Sequence, residues 1–343
     1  MAYPSLPVVE TSEGGTEQAI WTLERELASR GWKTEVAACT GSTVNGALLA
    51  AREGAEALDD FEERKRKHAE RVVAATLERE FAMVLDQSGN FFRHAERVRG
   101  YVLATLHLPR NRYPADAFEA VAANVYFNCV SESQRSTFRD LPRMLGVVGN
   151  GVAMERYPIG GRRSDYVLWM GSICPEKAPH LAIAAARKAG MPIVLAGHVY
   201  PFQWQNRYWE REVKPLIDGR EVRWVELAGF GEKVKLMRAA RGLLVSSKVP
   251  EVATLLTVEA MACGTPVIAF ESSKLEEMVP KRTGFLVRGV EEMAEACGKL
   301  SEIRAQGCRE FVRTEHSARS MADGYEAMIA NLQEQERMEK RRR

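Results

Sequence analysis

The stretch Glu251-Val-Ala-Thr254-Leu255-Leu256-Thr-Val-Glu259-Ala-Met-Ala-Cys-Gly264-Thr-Pro-Val-Ile-Ala-Phe270 decides how this chain is read. Thr254 is the expected N-cap of a short helix, since its hydroxyl can accept from an early helical N–H. The apolar run after it forms the helix, Gly264 stops it, and Pro266 forbids its continuation. Residues 265–270 then read as a buried strand, a short apolar run after turn signals. Glu251 thus lies in the loop before the helix, and Glu259 lies on it. Two carboxylates and the free N–H groups of a helix start can face one small polar ligand. An ordinary helix between two strands of a doubly wound sheet would use the same residues with no ligand.

Working outward, residues 165–171, 192–197, 222–227 and 242–246 read as strands. Residues 178–189, with Pro179 in the first turn, and 232–240 read as helices. Strand and helix alternating at this spacing argue parallel α/β units. Nearer the start, Gly14-Gly15-Thr16-Glu17 leads into a helix with Ile20, Leu23 and Leu27 on one face, ending near Gly31. Residues 33–38, 81–85, 101–106 and 125–130 read as strands. Residues 46–80, rich in Ala, Glu, Lys and Arg, are expected to form one or two surface helices, with residues 62–67 as a solvated charged face. Two such sets, separated near residues 149–161, give an α/β fold of two Rossmann-like domains facing a cleft.

The stretch at 251–270 resembles the signature of the family 4 retaining nucleotide-sugar glycosyltransferases, glycosyl transferases group 1, which have the GT-B fold of two doubly wound domains facing a cleft. Their pattern is Glu, seven residues, Glu, then Ala-Met-Ala-x-Gly-x-Pro-Val-Ile-Ala. Residues 259–269 follow it. The front departs: where the family has Glu-Pro-Phe-Gly-Leu, this chain has Glu251-Val252-Ala253-Thr254-Leu255. Met170-Gly171-Ser172-Ile-Cys-Pro-Glu176-Lys177 resembles the family's Gly-Arg-x-x-x-Glu-Lys-Gly, with Ser172 at the Arg position. Gly14-Gly15-Thr16-Glu17 resembles its Gly-Gly-x-Glu loop. Asn150-Gly151-Val152 resembles its interdomain bridge, and residues 131–135 its Ser-Glu-x-x-Arg turn. The resemblance implies domains at 1–150 and 151–320, then a C-terminal helix and basic tail at 321–343, the helix returning to the first domain. It also implies a first strand ahead of Ala2-Tyr3-Pro4. Met1 stands where that strand would end, so a start assigned too far downstream is expected.

A glycosyl donor is a sugar on a nucleoside diphosphate. Stabilising the departing diphosphate needs cations and helix N-termini. Recognising hydroxyls needs carboxylates, which accept several hydrogen bonds. On the resemblance, Glu259 takes both ribose hydroxyls, Glu251 the hexose hydroxyls and Lys177 the diphosphate. Gly14 and Gly15 admit a close backbone approach. Ser172, Thr254, Leu255 and Leu256 lie along the donor. His107, ending a strand, is where the family often has a histidine on the donor sugar. Glu251, Lys177 and His107 are the catalytic candidates. The bland counterparts are a helix-surface carboxylate, a solvated lysine, a capping turn and a structural histidine. The expected reaction is retaining transfer of a hexose from a nucleotide diphosphate sugar, UDP-linked, to an acceptor the sequence does not identify. A catalytically degenerate nucleotide-sugar-binding protein is the alternative, motivated by Ser172 and by residues 252–254. A sugar phosphorylase would need a pyridoxal-phosphate lysine, and none is identified.

Composition narrows the classes. The 343 residues suffice for two domains, with 45% hydrophobic and 27% charged residues, a globular balance. A net charge of +2 argues against a dedicated nucleic-acid binder. No run of eighteen apolar residues occurs, and no basic stretch precedes an apolar core at the start, so neither a membrane span nor a secretory signal is expected. The six cysteines form no CxxC pair or zinc spacing, which suggests free thiols in the cytoplasm. There is no GxGxxG, Walker or Asp-x-Asp motif, so no metal and no cofactor beyond the nucleotide sugar as co-substrate are expected. Residues 337–343 are basic and read as a solvated tail, with weak peripheral membrane contact as the alternative.

Overall fold

The structure is a computed structural model and describes residues 1–2, 6–12, 14–51, 61–161, 163–227, 229–252 and 254–342. Tyr3, Pro4, Ala253 and residues 52–60, which entered the sequence reading, lie outside the described residues. The chain divides into two compact units, Met1–Gly151 with Ser317–Arg343, and Val152–His316. Strand pairing among the described residues is parallel in both.

The first unit runs α1 (Gly15–Ser29), β1 (Glu35–Cys39), β2 (Ala47–Ala51), α2 (Phe61–Glu78), β3 (Val84–Asp86), β4 (Val102–Leu106), β5 (Val125–Cys129), α3 (Glu132–Arg135) and β6 (Met144–Val147). The helix expected over residues 46–80 is corrected at its start. Ala47–Ala51 is strand β2, paired with β1 from Glu35↔Ala47 to Cys39↔Ala51. Ala-Leu-Leu-Ala-Ala favours helix locally, but pairing along the edge of β1 overrides that preference. Nor is α2 simply a surface helix. Its Ala69, Val72 and Val73 are buried in a core with Phe91, Phe92, Phe127 and Phe138. The C-terminal helix (Ala318–Arg342) packs Met321, Tyr325 and Met328 against Leu23 and Leu27 of α1.

Strands β1–β2 and β3–β4–β5–β6 form two separate sheets. Met1 and Ala2 join them. The Met1 amine donates to Leu85 O at 2.6 Å, Gln87 N to Met1 O at 3.0 Å, and Ala2 N to Ala37 O at 2.9 Å. This is the bonding of a parallel strand with Met1 opposite Asp86. Beside it lies an apolar cavity of about 190 Å³, whose walls include Leu23, Val36, Val72, Val84 and Leu85. The amine is enclosed, and burial lowers its pKa despite the neighbouring Asp86.

The second unit runs β7 (Val167–Met170), α4 (Pro179–Lys188), β8 (Ile193–Ala196), α5 (Gln203–Tyr208), β9 (Val222–Val225), α6 (Phe230–Ala239), β10 (Leu243–Val245), α7 (Leu255–Ala262), β11 (Val267–Phe270), β12 (Gly284–Val287), α8 (Val290–Gly298) and α9 (Ala305–Glu315). The strand order is β12-β11-β10-β7-β8-β9. From β7 the chain winds out through β8 and β9, then returns to β10 on the other side and winds out again. The order therefore reverses between β7 and β10, and ligands of open α/β sheets bind beyond the carboxyl ends of strands at such a point. Trp169, Ile183, Ile193, Leu195 and Ile268 fill the core. Gly171 and Gly197 end β7 and β8 at φ 147° and 155°. A Cβ on Gly197 would sit 1.9 Å from Gly171 O, so the two chains approach this closely only with glycine there.

Candidate functional site

Three loops meet at the carboxyl ends of β7, β10 and β11 in the second unit. Ser246 Oγ, just past β10, donates to Lys177 O and Ala178 O, both at 2.9 Å, and accepts from Trp169 Nε1 at 3.2 Å. Lys248 N donates to Glu176 O at 2.8 Å. Ser272 Oγ donates to Ser247 O at 2.7 Å, and Glu251 N to Ser273 O at 2.8 Å. The loop after β7 and the loop before α7 are thereby held against each other. Lys177 Nζ pairs with both carboxylate oxygens of Glu251. The lysine side chain is 35% exposed and the glutamate 10%, so the pair is open to solvent from the lysine side. Ala178 starts α4 from a left-handed conformation, φ 45° and ψ 53°. That turn places Lys177 on the loop rather than on the helix.

Thr254 does stand at the N-cap of α7, but its side chain makes no capping bond among the described residues. The expected hydroxyl cap is thus corrected. The backbone provides the turn instead, through Thr257 N to Thr254 O at 3.0 Å. The N–H groups of Leu255 and Leu256 belong to the first turn, which has no intrahelical acceptors. The Leu255 side chain is buried, so only its backbone can meet a ligand.

Glu259 is one turn further along α7 and 1% exposed. Its Oε1 accepts from Lys233 Nζ at 2.6 Å and from Tyr157 OH at 2.7 Å. Tyr157 is buried, and burial together with the Glu259 charge pushes its pKa up, so the hydroxyl stays a donor. Its ring meets Phe230 edge-on at 5.6 Å, and the Arg156 guanidinium stacks 3.8 Å above Phe230 on the same site. Arg309 of α9 donates to Tyr157 O, Met154 O and Ala262 O, fixing the tyrosine's turn and the end of α7 together. A cation at that end also suits the helix dipole. Sequence reading missed Lys233, Tyr157 and Arg309, which lie 26, 102 and 50 positions from Glu259 (259 − 233, 259 − 157, 309 − 259). Tyr157 falls within residues 149–161, where the sequence places the separation of the two domains. Nothing local marks the other two.

His107, Gly14 and Gly15 belong to the first unit. His107 follows β4, and its Nε2 lies 2.8 Å from Gln87 Oε1. Gln87 Nε2 in turn donates to Thr105 Oγ1 at 2.9 Å and Tyr325 OH at 3.1 Å. Burial pushes His107 down to about 4. The neutral ring therefore donates from Nε2 and keeps Nδ1 as an acceptor. Gly14 N-caps α1 at φ −70°. A Cβ there would lie 2.1 Å from Glu17 Oε2, so the glycine makes room for that carboxylate to fold back over the helix start. Ser131 Oγ accepts from Gln134 N at 3.1 Å, a capping role for the Ser-Glu-x-x-Arg turn.

Among the described residues no cluster of His, Cys, Asp or Glu could hold a metal ion, and no helix is long and apolar enough to cross a membrane. Residues 164–302 match the family model described as glycosyl transferases group 1. This interval contains Lys177, Lys233, Glu251 and Glu259.

Over residues 164–302 the chain is similar to the glycosyl transferases group 1 family.

The chain is 28% identical over 221 residues to a D-inositol 3-phosphate glycosyltransferase of Rhodococcus erythropolis, spanning 55% of this chain and 50% of the relative. The match therefore reaches half the length of that curated relative. Among solved structures, the sucrose-phosphate synthase of Thermosynechococcus elongatus superposes with a TM-score of 0.77 at 18% identity, over 96% of each chain. Anabaena HepE in complex with UDP-glucose gives 0.72 at 14% identity, over 94% of this chain and 98% of that one. At these identities the likeness is one of fold, the GT-B fold of glycosyltransferases.

Proposed function

We propose that the chain is a retaining glycosyltransferase that moves a hexose from a UDP-linked sugar to an acceptor. The Lys177–Glu251 pair at the reversal of the β12-to-β9 sheet carries this reading. A cation for a diphosphate and a carboxylate for sugar hydroxyls stand together where α/β sheets take ligands. In the reaction Lys177 and the first N–H groups of α7 stabilise the diphosphate as it leaves. Glu251 accepts from hexose hydroxyls. Each must give up the other when donor enters, so the resting pair is replaced by two new charge-assisted contacts. Glu259 accepts from the ribose hydroxyls. At 1% exposure it is reached only when a covering neighbour moves. The departing diphosphate oxygen takes the acceptor's proton, and a new glycosidic bond forms on the face the diphosphate leaves. His107, with Nδ1 accepting, suits a sugar hydroxyl, and Gly14 and Gly15 a close backbone approach. No cofactor beyond the nucleotide sugar is proposed. Six free thiols suit the cytoplasm as the location.

A second reading has its own observation. Ser172 stands where the resembled family has a diphosphate-binding Arg, and the remaining lysine is already held by Glu251. That arrangement would fit a nucleotide-sugar binder without turnover. Thermal shift with UDP-, GDP- and ADP-sugars, followed by assays of hydrolysis and transfer, separates the possibilities. Stabilisation by a UDP-sugar with turnover is the expected result. Stabilisation without turnover selects the binder, and no stabilisation by any nucleotide sugar removes both.

A further inference from the structure

Four polar side chains stand behind His107 in the first unit, and all are buried: Gln87, Thr105, Asn128 and Tyr325 are 5%, 0%, 0% and 2% exposed. Strand register puts three of them in a row. Gln87 follows β3, whose Asp86 pairs with Ala104, and Thr105 of β4 pairs with Asn128 of β5. Tyr325 arrives from the C-terminal helix. Buried donors need acceptors, so the direction of each hydrogen bond can be worked out. The Asn128 amide donates to Cys129 O at 3.4 Å, which turns its Oδ1 toward Thr105. Thr105 Oγ1 donates to that oxygen at 2.9 Å. A hydroxyl has one proton, so Thr105 Oγ1 is otherwise an acceptor. It takes Gln87 Nε2 at 2.9 Å and Tyr325 OH at 2.8 Å. Tyr325 OH accepts from Gln87 Nε2 at 3.1 Å. It also lies 3.3 Å from Gln87 Oε1, but its one proton goes to the nearer Thr105. Burial pushes the Tyr325 phenol up, so that proton stays in place. Both N–H bonds of the Gln87 amide are thus directed at hydroxyls, and Oε1 is left facing His107 Nε2 at 2.8 Å. An amide oxygen only accepts, so the ring proton sits on Nε2.

We propose that Gln87, Thr105 and Tyr325 are positioning residues for the donor sugar: the direction of their hydrogen bonds holds His107 in its Nε2–H tautomer, so that Nδ1 meets a hexose hydroxyl as an acceptor. This rests on the reading of His107 as a sugar residue. The ring is partly exposed just past the carboxyl end of β4, the side on which open α/β sheets take ligands. A neutral imidazole in water exchanges between two tautomers, and the bond made by one nitrogen selects between them. A buried network that runs in one direction leaves only one. With the Gln87 amide turned over, its N–H would face Nε2, the ring proton would move to Nδ1, and the sugar would meet a donor in place of an acceptor. The C-terminal helix thereby takes part in sugar recognition through Tyr325, which acts on the ring only through Gln87.

The test begins without ligand. Long-range 1H–15N spectra of the full chain labelled with 15N-histidine report the tautomer at pH 7.5, the His107 signals being those missing from His107→Ala. Wild type is expected to show the Nε2–H form alone. Thr105→Val removes the acceptor of the Gln87 N–H and is expected to populate the Nδ1–H form, with Tyr325→Phe doing so to a smaller extent. Calorimetry then compares UDP with UDP-glucose and UDP-galactose. In Thr105→Val the ratio of UDP-hexose to UDP affinity is expected to fall by about three- to tenfold, the scale of one hydrogen bond. If neither UDP-hexose binds wild type, or His107→Ala binds them as wild type does, the reading of His107 as a sugar residue fails, whatever the tautomer. If His107→Ala weakens the UDP-hexose but wild type shows the Nδ1–H form or a mixture, the positioning role alone is overturned. It is overturned too if folded Thr105→Val keeps the wild-type spectrum, or changes tautomer with no change in that ratio. Should Thr105→Val not fold, Gln87→Leu and Tyr325→Phe decide, and a wild-type spectrum and ratio in both overturns the proposal.

Discussion

At the scale of single residues, burial separates the two signature glutamates more than chemistry does. Glu251 is paired at an open loop and can exchange partners, while Glu259 is enclosed and anchored from two other elements. The diphosphate role proposed for Lys177 follows from that openness. With Ser172 in place of a second cation, Lys177→Ala should cost about 3 kcal/mol or more in kcat/KM, roughly a hundredfold. Steady-state transfer measured on both proteins checks this, and an unimpaired variant removes the lysine from the diphosphate. His107 gives a pH prediction. Its pKa falls from 6.5 to about 4 in the fold, so the unfolded chain takes up that proton first. Its contribution to stability is complete above pH 6.5 and is lost as pH falls toward 4. Replacing it by glutamine should flatten the fall in Tm over that interval relative to wild type. Parallel Tm curves for the two proteins would show that the ring's burial does not set acid sensitivity.

At the scale of elements, the first unit has an apolar cavity beside the strand-like pairing of Met1 and Ala2. Met1 and Ala2 bond to both neighbours as in a parallel strand, and the cavity measures about 190 Å³. In a parallel ladder the next rungs would be Leu85 N with Met83 O on one side, and Ala37 N with Glu35 O on the other. An extended apolar segment of about five residues joined ahead of Met1 would meet those groups and fill the cavity. It would also convert the enclosed amine into a neutral amide. Burying two or three such side chains stabilises by several kcal/mol, so Tm should rise by roughly 5 °C or more. Calorimetry on the extended chain tests this against a Gly/Ser segment of equal length. Equal melting temperatures would show that the cavity does not take a strand. The C-terminal helix is the other element on which this unit depends, since Arg30 of the α1 C-cap bonds Asp323 at 2.7 Å and Trp32 Nε1 bonds Glu326 at 2.7 Å.

At the scale of the whole molecule, the residues proposed to hold the nucleotide sit in the unit Val152–His316. Saturating UDP should therefore slow amide exchange in residues 171–178, 230–233 and 254–259. At a hundred times Kd it should stabilise the native state by about 2.7 kcal/mol. Exchange slowed only in residues 1–151, or nowhere, would contradict the assignment. The alternation of short apolar runs with helical segments was legible in the sequence because buried parallel strands and amphipathic helices leave strong periodic marks. So were the loop position of Glu251, the helix position of Glu259 and the stop at Gly264, each set by neighbours within a few residues. Strand β2 was not legible. Its five residues favour helix locally, and only the edge of β1 makes them a strand. The strand order was not legible either, and that order puts β7 beside β10 and so brings Lys177 to Glu251, 74 residues away. Lys233, Tyr157 and Arg309 came to Glu259 and α7 by the same route. Local sequence determined which segments are strand or helix and which carboxylates flank one turn. Tertiary structure decided which cation meets which carboxylate and which pair is closed to water, because those contacts depend on sheet order and burial, which no short window of sequence encodes.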